Sequence, residues 1–580
     1  GRRKSGETVE QVSAEFATIA TRLQKEHPDT NKDWTASAIP LRDGLYGSDT
    51  GIILALLTVG VCLVFAVACA NVAGIMLARA STREREMALR MSLGASGSQI
   101  TRQLMVEGAV LSFLGAALGL VLAQLGLEFM RSIAFEQFYE LVTIDGTVLA
   151  FSAALALAAP LLFGLAPALQ LAGRELSAVL REAGASAGTS GRVGRSRRGL
   201  VVMQIGLATA LLIVSGLSVR TALVLRNYDF GFDPTGLLTA RIDLSEARYG
   251  ADDQVRAQAD RILASLQGLP NASGAAFGSE LPIFDRARQV AFKTRETSID
   301  QSKIVNLTAS SPGFFKALGM GLVRGRDFLE TDNPQSPAVA VVNEALSARE
   351  FPGREPIGER IQVGGSDTPW VEIVGVASNL INPGSGETPL PRVYLPLAQR
   401  PQRSLVVFAK TSQPEPILAS LRETMRGIDP DQPIYEAKTM EQVIWEDLAS
   451  NRIITGLFMA LGLVSLTLAA VGLYGMTAFL VAQRSREIGV RMALGASARD
   501  VVRMVIAQGA RLTALGLALG VALGLLLGRA MASVLVEVSP TDPVTLAATL
   551  FTLGLAAVLA HWAPARRAAT VNPIDALRHD

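Results

Sequence analysis

About seven runs of apolar residues, each long enough to cross a bilayer, limit what this chain can fold into. They lie near Ile52 to Leu77, Leu104 to Leu127, Val148 to Leu171, Leu200 to Leu225, Ile453 to Val481, Val505 to Leu527 and Val544 to Ala560. A hydrocarbon core ~30 Å thick takes about 20 residues at the helical rise. Backbone polar groups in lipid must be satisfied within the segment, so these runs predict helices and exclude strands for this part of the chain. Between the fourth and fifth runs lies a long polar segment, 226–452, in which short β-branched stretches such as Ala338 to Val342 and Glu372 to Val376 alternate with helical stretches such as Gln254 to Leu266 and Ile417 to Arg426. That alternation is an α/β pattern. The predicted fold class is therefore a polytopic α-helical membrane protein carrying an α/β extracytoplasmic domain.

The basic residues set the orientation. Arg79, Arg83, Arg85, Arg90 and Arg102 follow the first run; Arg174, Arg181, Arg192, Arg195, Arg197 and Arg198 precede the fourth; Arg484, Arg486, Arg491, Arg499 and Arg503 follow the fifth; Arg566, Arg567 and Arg578 close the chain. Alternate crossings put all four segments on one face, and the excess of arginine in short connections marks that face as cytoplasmic. Residues 1–50, the loops near 128–147 and 529–543, and the segment 226–452 are then expected outside. A net charge of +2, with its arginines gathered beside apolar runs, gives no case for nucleic acid.

Part of the chain is written twice. Arg83-Glu-Arg-Glu-Met-Ala-Leu-Arg-Met-Ser-Leu-Gly-Ala-Ser96 recurs as Arg484-Ser-Arg-Glu-Ile-Gly-Val-Arg-Met-Ala-Leu-Gly-Ala-Ser497, an offset of 401 that carries Glu86 onto Glu487. The register persists without a gap to Gly115 and Gly119, which map to Gly516 and Gly520. With four residues lost in the outer loop, it reaches Asp145 with Asp542 and Pro167 with Pro564. Such self-similarity means two copies of one three-helix unit. One span and the polar domain stand upstream of the second copy, whereas only a tail with His27-Pro-Asp29, echoing Asp429-Pro-Asp431, stands upstream of the first. The parallel predicts a further span and exterior domain before Gly1, that is, an N-terminally truncated chain. The expected divisions are 1–50, the tail of a first exterior domain; 51–182, the first membrane module; 183–199, a basic linker; 200–225, a single span; 226–452, the exterior domain; and 453–580, the second module.

Each repeat contains a polar, arginine-rich helix end, a stop at Leu-Gly-Ala-Ser and a restart. Gly94 and Gly495 suit the left-handed position after a helix, while Ser96 with Gln99 and Ser497 with Asp500 form capping-box patterns. A plain helical corner would explain one copy. Two copies with the same arginine, glutamate and glycine positions point to a docking surface. The ladder Gly516, Gly520, Gly524 and Gly528, with Gly115 and Gly119, fits close helix packing in lipid. Asn71, Gln204 and Gln124, the polar residues inside the runs, read as interhelical hydrogen bonds.

The repeated element resembles the FtsX-like permease domain of MacB-type ABC systems, in which the pattern runs Arg-Glu-Ile-Gly-x-Arg-x-Ala-Leu-Gly-Ala-Ser. Residues 486–497 match closely; the first copy departs at Met87, Ala88 and Ser92. The resemblance implies a role in coupling to a cytoplasmic ABC ATPase subunit for Arg486, Glu487, Arg491, Gly495 and Ser497, and for Arg85, Glu86, Arg90, Gly94 and Ser96. The polar domain resembles the periplasmic core domain of the same family in Ser311-Pro-Gly-Phe-Phe-Lys-Ala-Leu-Gly319, Arg324-Gly-Arg-Asp-Phe328, Val341-Val-Asn-Glu344, Phe351-Pro-Gly353, Pro356-Ile-Gly358, Ile373-Val-Gly-Val376 and Val393-Tyr-Leu-Pro396. These residues read as turns and core. The domain order resembles the duplicated orphan permeases common in acidobacteria, and implies a bacterial inner-membrane location, lipid and periplasmic proteins as further partners, and export or mechanotransmission as the task.

No Gly-Lys pair occurs in the sequence, so no P-loop can cradle a nucleotide here and ATP is expected on the partner. His27, His561 and His579 are scattered, and Cys62 and Cys69 share one apolar run; neither a His-based triad, a metal site nor a disulfide framework follows from them. The chain is expected to be no enzyme and to hold no cofactor. Acidic pairs at the membrane centre, the relays of ion-coupled carriers, are missing too. An ATPase-free receptor or scaffold is the rival reading.

Overall fold

In the computed structural model the described residues are all except 1–3, 5, 28–30, 32–34, 41–49, 83–89, 91–92, 94–95, 134–142, 173–189, 269–271, 286, 297–302, 365–367, 384–388 and 570–580. The chain divides into two compact units, Gly1–Thr221 with Ile454–Asp580, and Ala222–Ile453.

The first unit is helical. After α1 (Val9–Glu26) come α2 (Thr50–Thr82), α3 (Gly97–Ile133), α4 (Gly146–Ala172) and α5 (Ser190–Arg226). Among the described residues six helices are long and apolar enough to cross a membrane, and α4 supplies a shorter described apolar stretch, Gly146–Ala159. The second unit opens with β1 (Leu237–Asp243), α6 (Asp252–Gln267), β2 (Ala272–Gly278), β3 (Arg288–Thr294), β4 (Lys303–Ser310), α7 (Phe314–Ala317), β5 (Leu322–Gly325) and β6 (Val339–Asn343). It continues with α8 (Glu344–Glu350), β7 (Arg360–Val363), β8 (Trp370–Ala377), β9 (Arg392–Pro396), β10 (Ser404–Thr411), α9 (Pro414–Ile428), β11 (Ile434–Thr439) and α10 (Met440–Asp447). Helices α11 (Ala449–Gln483), α12 (Ser485–Ala493), α13 (Ala498–Ala530) and α14 (Pro543–Ala569) return to the first unit.

The repeat is visible in the helix ends. Adding 401 to the first residue of α3 gives the first residue of α13, and adding 397 to both ends of α4 gives both ends of α14. Asp145 and Asp542, paired by that register, do the same work: Asp145 Oδ1 accepts from the Val148 amide at 2.9 Å and Asp542 Oδ2 from the Thr545 amide at 2.8 Å, satisfying an amide that the first helical turn leaves free.

In the second unit the expected helices and strands form, but the pairing is mostly antiparallel; the parallel pairs are β4–β9 and β6–β8. The strand order β11-β1-β10-β2-β4-β3-β7-β8-β6-β9 closes on itself because β9 also pairs with β4. Strands β4, β3, β7, β8, β6 and β9 therefore form a closed ring, which leaves no free edge among them. Inside it pack Phe292, Val305, Ala340, Val342, Ile361, Val363, Ile373 and Val393. The remaining strands carry a second core with α6 and α9, around Ile262, Leu266, Phe277, Val407 and Leu421. A third groups Phe314, Phe315, Tyr394 and Phe408, with Phe315 edge-on to Tyr394 at 4.9 Å, the geometry the ring quadrupoles favour.

The motifs of this domain are structural. Gly325 has φ +75°, and a Cβ there would strike the Val374 carbonyl, so only glycine fits. Its neighbour Arg326 grips Asp332 in two bonds of 2.8 and 3.0 Å. Asn343 caps α8 by accepting from the Leu346 amide at 3.0 Å and donates to Asn379 Oδ1 and the Leu390 carbonyl. At the end of α9 the buried Asp429 accepts from the Tyr249 hydroxyl at 2.7 Å, from the Asp431 amide at 3.2 Å and from Arg248. The Tyr249 bond, with those from Asp431 and Arg248, holds its carboxyl below the ordinary aspartate range. A carboxylate whose folded pKa is depressed contributes stability that is present above ~3.9 and lost as pH falls through the folded value. Asp429→Ala should lower the stability of this unit by about 1–3 kcal/mol at neutral pH and shrink its acid sensitivity, both measurable by calorimetry across pH.

Candidate functional site

The second repeated corner is fully built. Helix α12 ends in the two bonds expected of a glycine stop: the Gly495 amide donates to the Met492 carbonyl at 3.1 Å and the Ala496 amide to the Arg491 carbonyl at 2.9 Å, with Gly495 at φ +98°. Ser497 then caps α13, its amide donating to Asp500 Oδ2 at 3.1 Å while its Oγ accepts from the Asp500 amide at 3.3 Å. The underside of α12 is fixed by Ile488, which packs with Val501, Val481, Met492 and Met504. Its open face carries Glu487 and Arg491, paired at 2.6 Å and each about half exposed; such an exposed pair adds little stability, which leaves its charge pattern available to a partner.

The described part of the first corner repeats this construction. Ser96 and Gln99 exchange bonds of 3.0 and 3.4 Å. Arg90 reaches Gln103 at 3.0 Å, as Arg491 reaches Met504; Gln103 and Met504 are themselves equivalent in the repeat. Arg85, Glu86 and Gly94 lie outside the described residues, as does the side chain of Arg486.

One feature of the corners was not singled out from sequence. Leu93 and Leu494, equivalent in the repeat, stand at the two turns with 87% and 83% of their surface exposed. Capping and glycine chemistry explain the residues on either side of them. Only the conformation shows that the leucines point away from any core. An exposed apolar knob rimmed by charge is what a buried anchor of a protein interface looks like before its partner arrives.

The glycine ladder divides. Against α5, a Cβ on Gly516 would stand 2.6 Å from Ile205 Cβ, one on Gly524 2.6 Å from Ile213 Cδ1, and one on Gly520 2.5 Å from the Gly206 carbonyl; Gly528 lies against Leu217. These glycines let the backbones of α5 and α13 meet, and α5 is the most deeply buried span. Gly115 and Gly119 do not pack: a Cβ on either meets nothing within 4 Å. The expectation of helix packing fails for these two because no described helix covers that face of α3. Asn71 and Gln204 do bridge helices, both donating to the Leu468 carbonyl, at 2.8 and 3.0 Å. Gln124 instead donates to Glu128 on its own helix at 3.1 Å.

Residues 58–176 and 459–573 match the family described as FtsX-like permease C-terminal, and residues 203–424 match the MacB-like periplasmic core domain. The chain belongs to the MacB/FtsX-type permeases. Among curated relatives of this permease, the pyoverdine export ATP-binding/permease protein PvdT of Pseudomonas putida is 24% identical over 44% of the chain and 40% of its own length. The macrolide export ATP-binding/permease protein MacB of an Azoarcus species is 25% identical over 64% and 58%. The permease thus spans about half the length of the curated relatives it matches. The crystal structure of the periplasmic region of MacB from Actinobacillus actinomycetemcomitans aligns with 37% of the chain and 92% of its own, at 16% identity and TM-score 0.26. The permease is a multi-pass membrane protein with two FtsX-like modules, and both matched FtsX segments contain one of the corners described above.

Proposed function

We propose that this permease is the membrane subunit of an ABC-type export or mechanotransmission system, coupling ATP hydrolysis by a separate cytoplasmic ATPase to movement of the core domain. The carrying observation is the corner itself, built twice with the same capped restart, the same arginine crossing to α3 or α13, and an exposed leucine at its tip. Two such surfaces suit two ATPase subunits. The arginines beside them favour a cytoplasmic placement in the bacterial inner membrane, with residues 226–452 outside, in reach of periplasmic partners. Nucleotide chemistry is assigned to the ATPase; no catalytic or cofactor role is given to this chain. The long helices α5 and α11, 37 and 35 residues, connect the modules to the core domain and are stiff enough to transmit a push.

The test is capture of candidate ATPases by the full-length protein in nanodiscs. Leu93→Asp/Leu494→Asp should fold normally, since both side chains are exposed, yet lose capture and stimulated ATP turnover by about tenfold or more, as expected when anchors worth more than ~1 kcal/mol each are removed. Unchanged capture would remove the corners from the interface. If wild-type protein binds none of the ATPases, the receptor or scaffold reading takes its place.

A further inference from the structure

A pair of equivalent residues in two copies of a module can touch only near the axis that relates the copies. Two such pairs occur among the described residues. Gly60 and Leu461 are equivalent under the 401 offset, and a Cβ on the buried Gly60 would stand 3.0 Å from Leu461 Cδ1, with Leu211 and Phe458 next nearest. Asn71 and Gly472 are equivalent under the same offset, and the space above Gly472 is taken by Asn71 Oδ1 and the Gln204 amide. Three residues before Gly60 and Leu461, on the side away from Asn71, Leu57 and its equivalent Phe458 share one apolar cluster. Helices α2 and α11 thus cross on the pseudo-twofold axis, and at both levels one copy is glycine where the other is large. The sense alternates: the glycine belongs to the first module at 60 and to the second at 472.

We propose that these reciprocal pairs select pairing between the two different modules of one chain and exclude pairing of like modules between chains. Two second modules would bring Leu461 against Leu461 where only one leucine fits, since a packed interface tolerates no extra methylenes without strain. Two first modules would leave an unfilled gap between two Gly60 residues and set Asn71 against Asn71 where the observed pairing has Asn71 over a glycine. Specificity of this kind rests as much on the misfit of wrong partners as on the fit of the right one. The inference does not depend on the ATPase reading, because it concerns the modules' contact with each other.

The experiment uses the full chain in nanodiscs with a protease site inserted between residues 183 and 189 and an affinity tag at the C-terminus. After cleavage the N-terminal piece should stay with the tagged piece. Gly60→Leu should lower its retention by about fivefold or more, the low end of what overpacking costs. Gly60→Leu/Leu461→Gly, which moves the leucine to the other helix, should restore retention to within about twofold of wild type, the non-additive signature of direct contact. A fall with Gly60→Leu that the double variant does not repair overturns the proposal, even if Gly60→Leu itself folds poorly, because the double variant carries the same leucine. Full retention with Gly60→Leu alone also overturns it. In cells making two differently tagged copies, wild type should show little capture of the other copy's N-terminal piece; capture as strong as that of its own would likewise refute selection in cis.

Discussion

Arg392→Ala is expected to cost the core domain about 3–5 kcal/mol, because it strands a buried carboxylate. Arg392 opens β9 and pairs with Glu280, which follows β2, both side chains being 9% exposed. Thr308 of β4 completes the group, donating to Glu280 Oε1 at 2.9 Å and accepting from Arg392 at 2.6 Å. The cluster sits where β2, β4 and β9 meet, at the join between the closed ring and the rest of the sheet. Burial raises the Glu280 carboxyl above its ordinary value, against the opposing pull of Arg392 and Thr308. Once Arg392 is gone only the Thr308 bond opposes that shift, and the carboxyl takes up a proton at higher pH. The deficit should therefore be largest at alkaline pH and shrink as pH falls through the raised pKa, since protonation removes the uncompensated charge. Hydrogen exchange of the full-length protein in nanodiscs checks this: amides of β4 and β9 should lose protection in Arg392→Ala at pH 8 and regain part of it at pH 6. Replacing both partners with apolar residues of similar volume should cost far less than Arg392→Ala alone; an equal loss would mean that the pair's shape rather than its charge holds the join.

The spans were legible in sequence because a run of some 20 apolar residues has one solution in lipid, and the repeat was legible because its register is written residue by residue, down to the aspartates that cap α4 and α14. The corner was legible for a local reason: Gly495, Ser497 and Asp500 act on backbone groups within a few residues of themselves. What was hidden depends on distant partners. Nothing near β9 in sequence says that it pairs in parallel with β4, about 85 residues earlier, and closes a ring. Gln124 has the look of an interhelical tie, but its nearest partner is Glu128, one turn along. Leu93 and Leu494 have the side chain of core residues, and their exposure is a property of the turn that carries them.

The ladder gives the sharpest contrast, because the repeat makes Gly119 and Gly520 equal in sequence and the structure makes them unequal. Gly520 sits where Thr209 and the Gly206 carbonyl of α5 leave no room for a side chain, whereas Gly119 faces open space. Association of helices in lipid gains nothing from hiding apolar surface, since the surroundings are as apolar as the helix; it rests on close contact, and small residues make that contact possible. Gly520→Leu must therefore push α5 away from α13, releasing the contacts at Gly516, Gly524 and Gly528 together. Its cost should exceed the ~1–3 kcal/mol typical of overpacking at a site where neighbours can yield, because here the obstacles are the Cβ of Thr209, fixed to its backbone, and the Gly206 carbonyl itself. Gly119→Leu should change stability by less than about 0.5 kcal/mol, the range of substitutions that touch nothing, with a small gain in helix propensity opposing any loss. Thermal unfolding of the two variants in one lipid composition separates the cases. A loss at Gly119 as large as that at Gly520 would mean that a helix covers that face of α3 in the assembled protein, and would restore to Gly115 and Gly119 the packing role their register first implied.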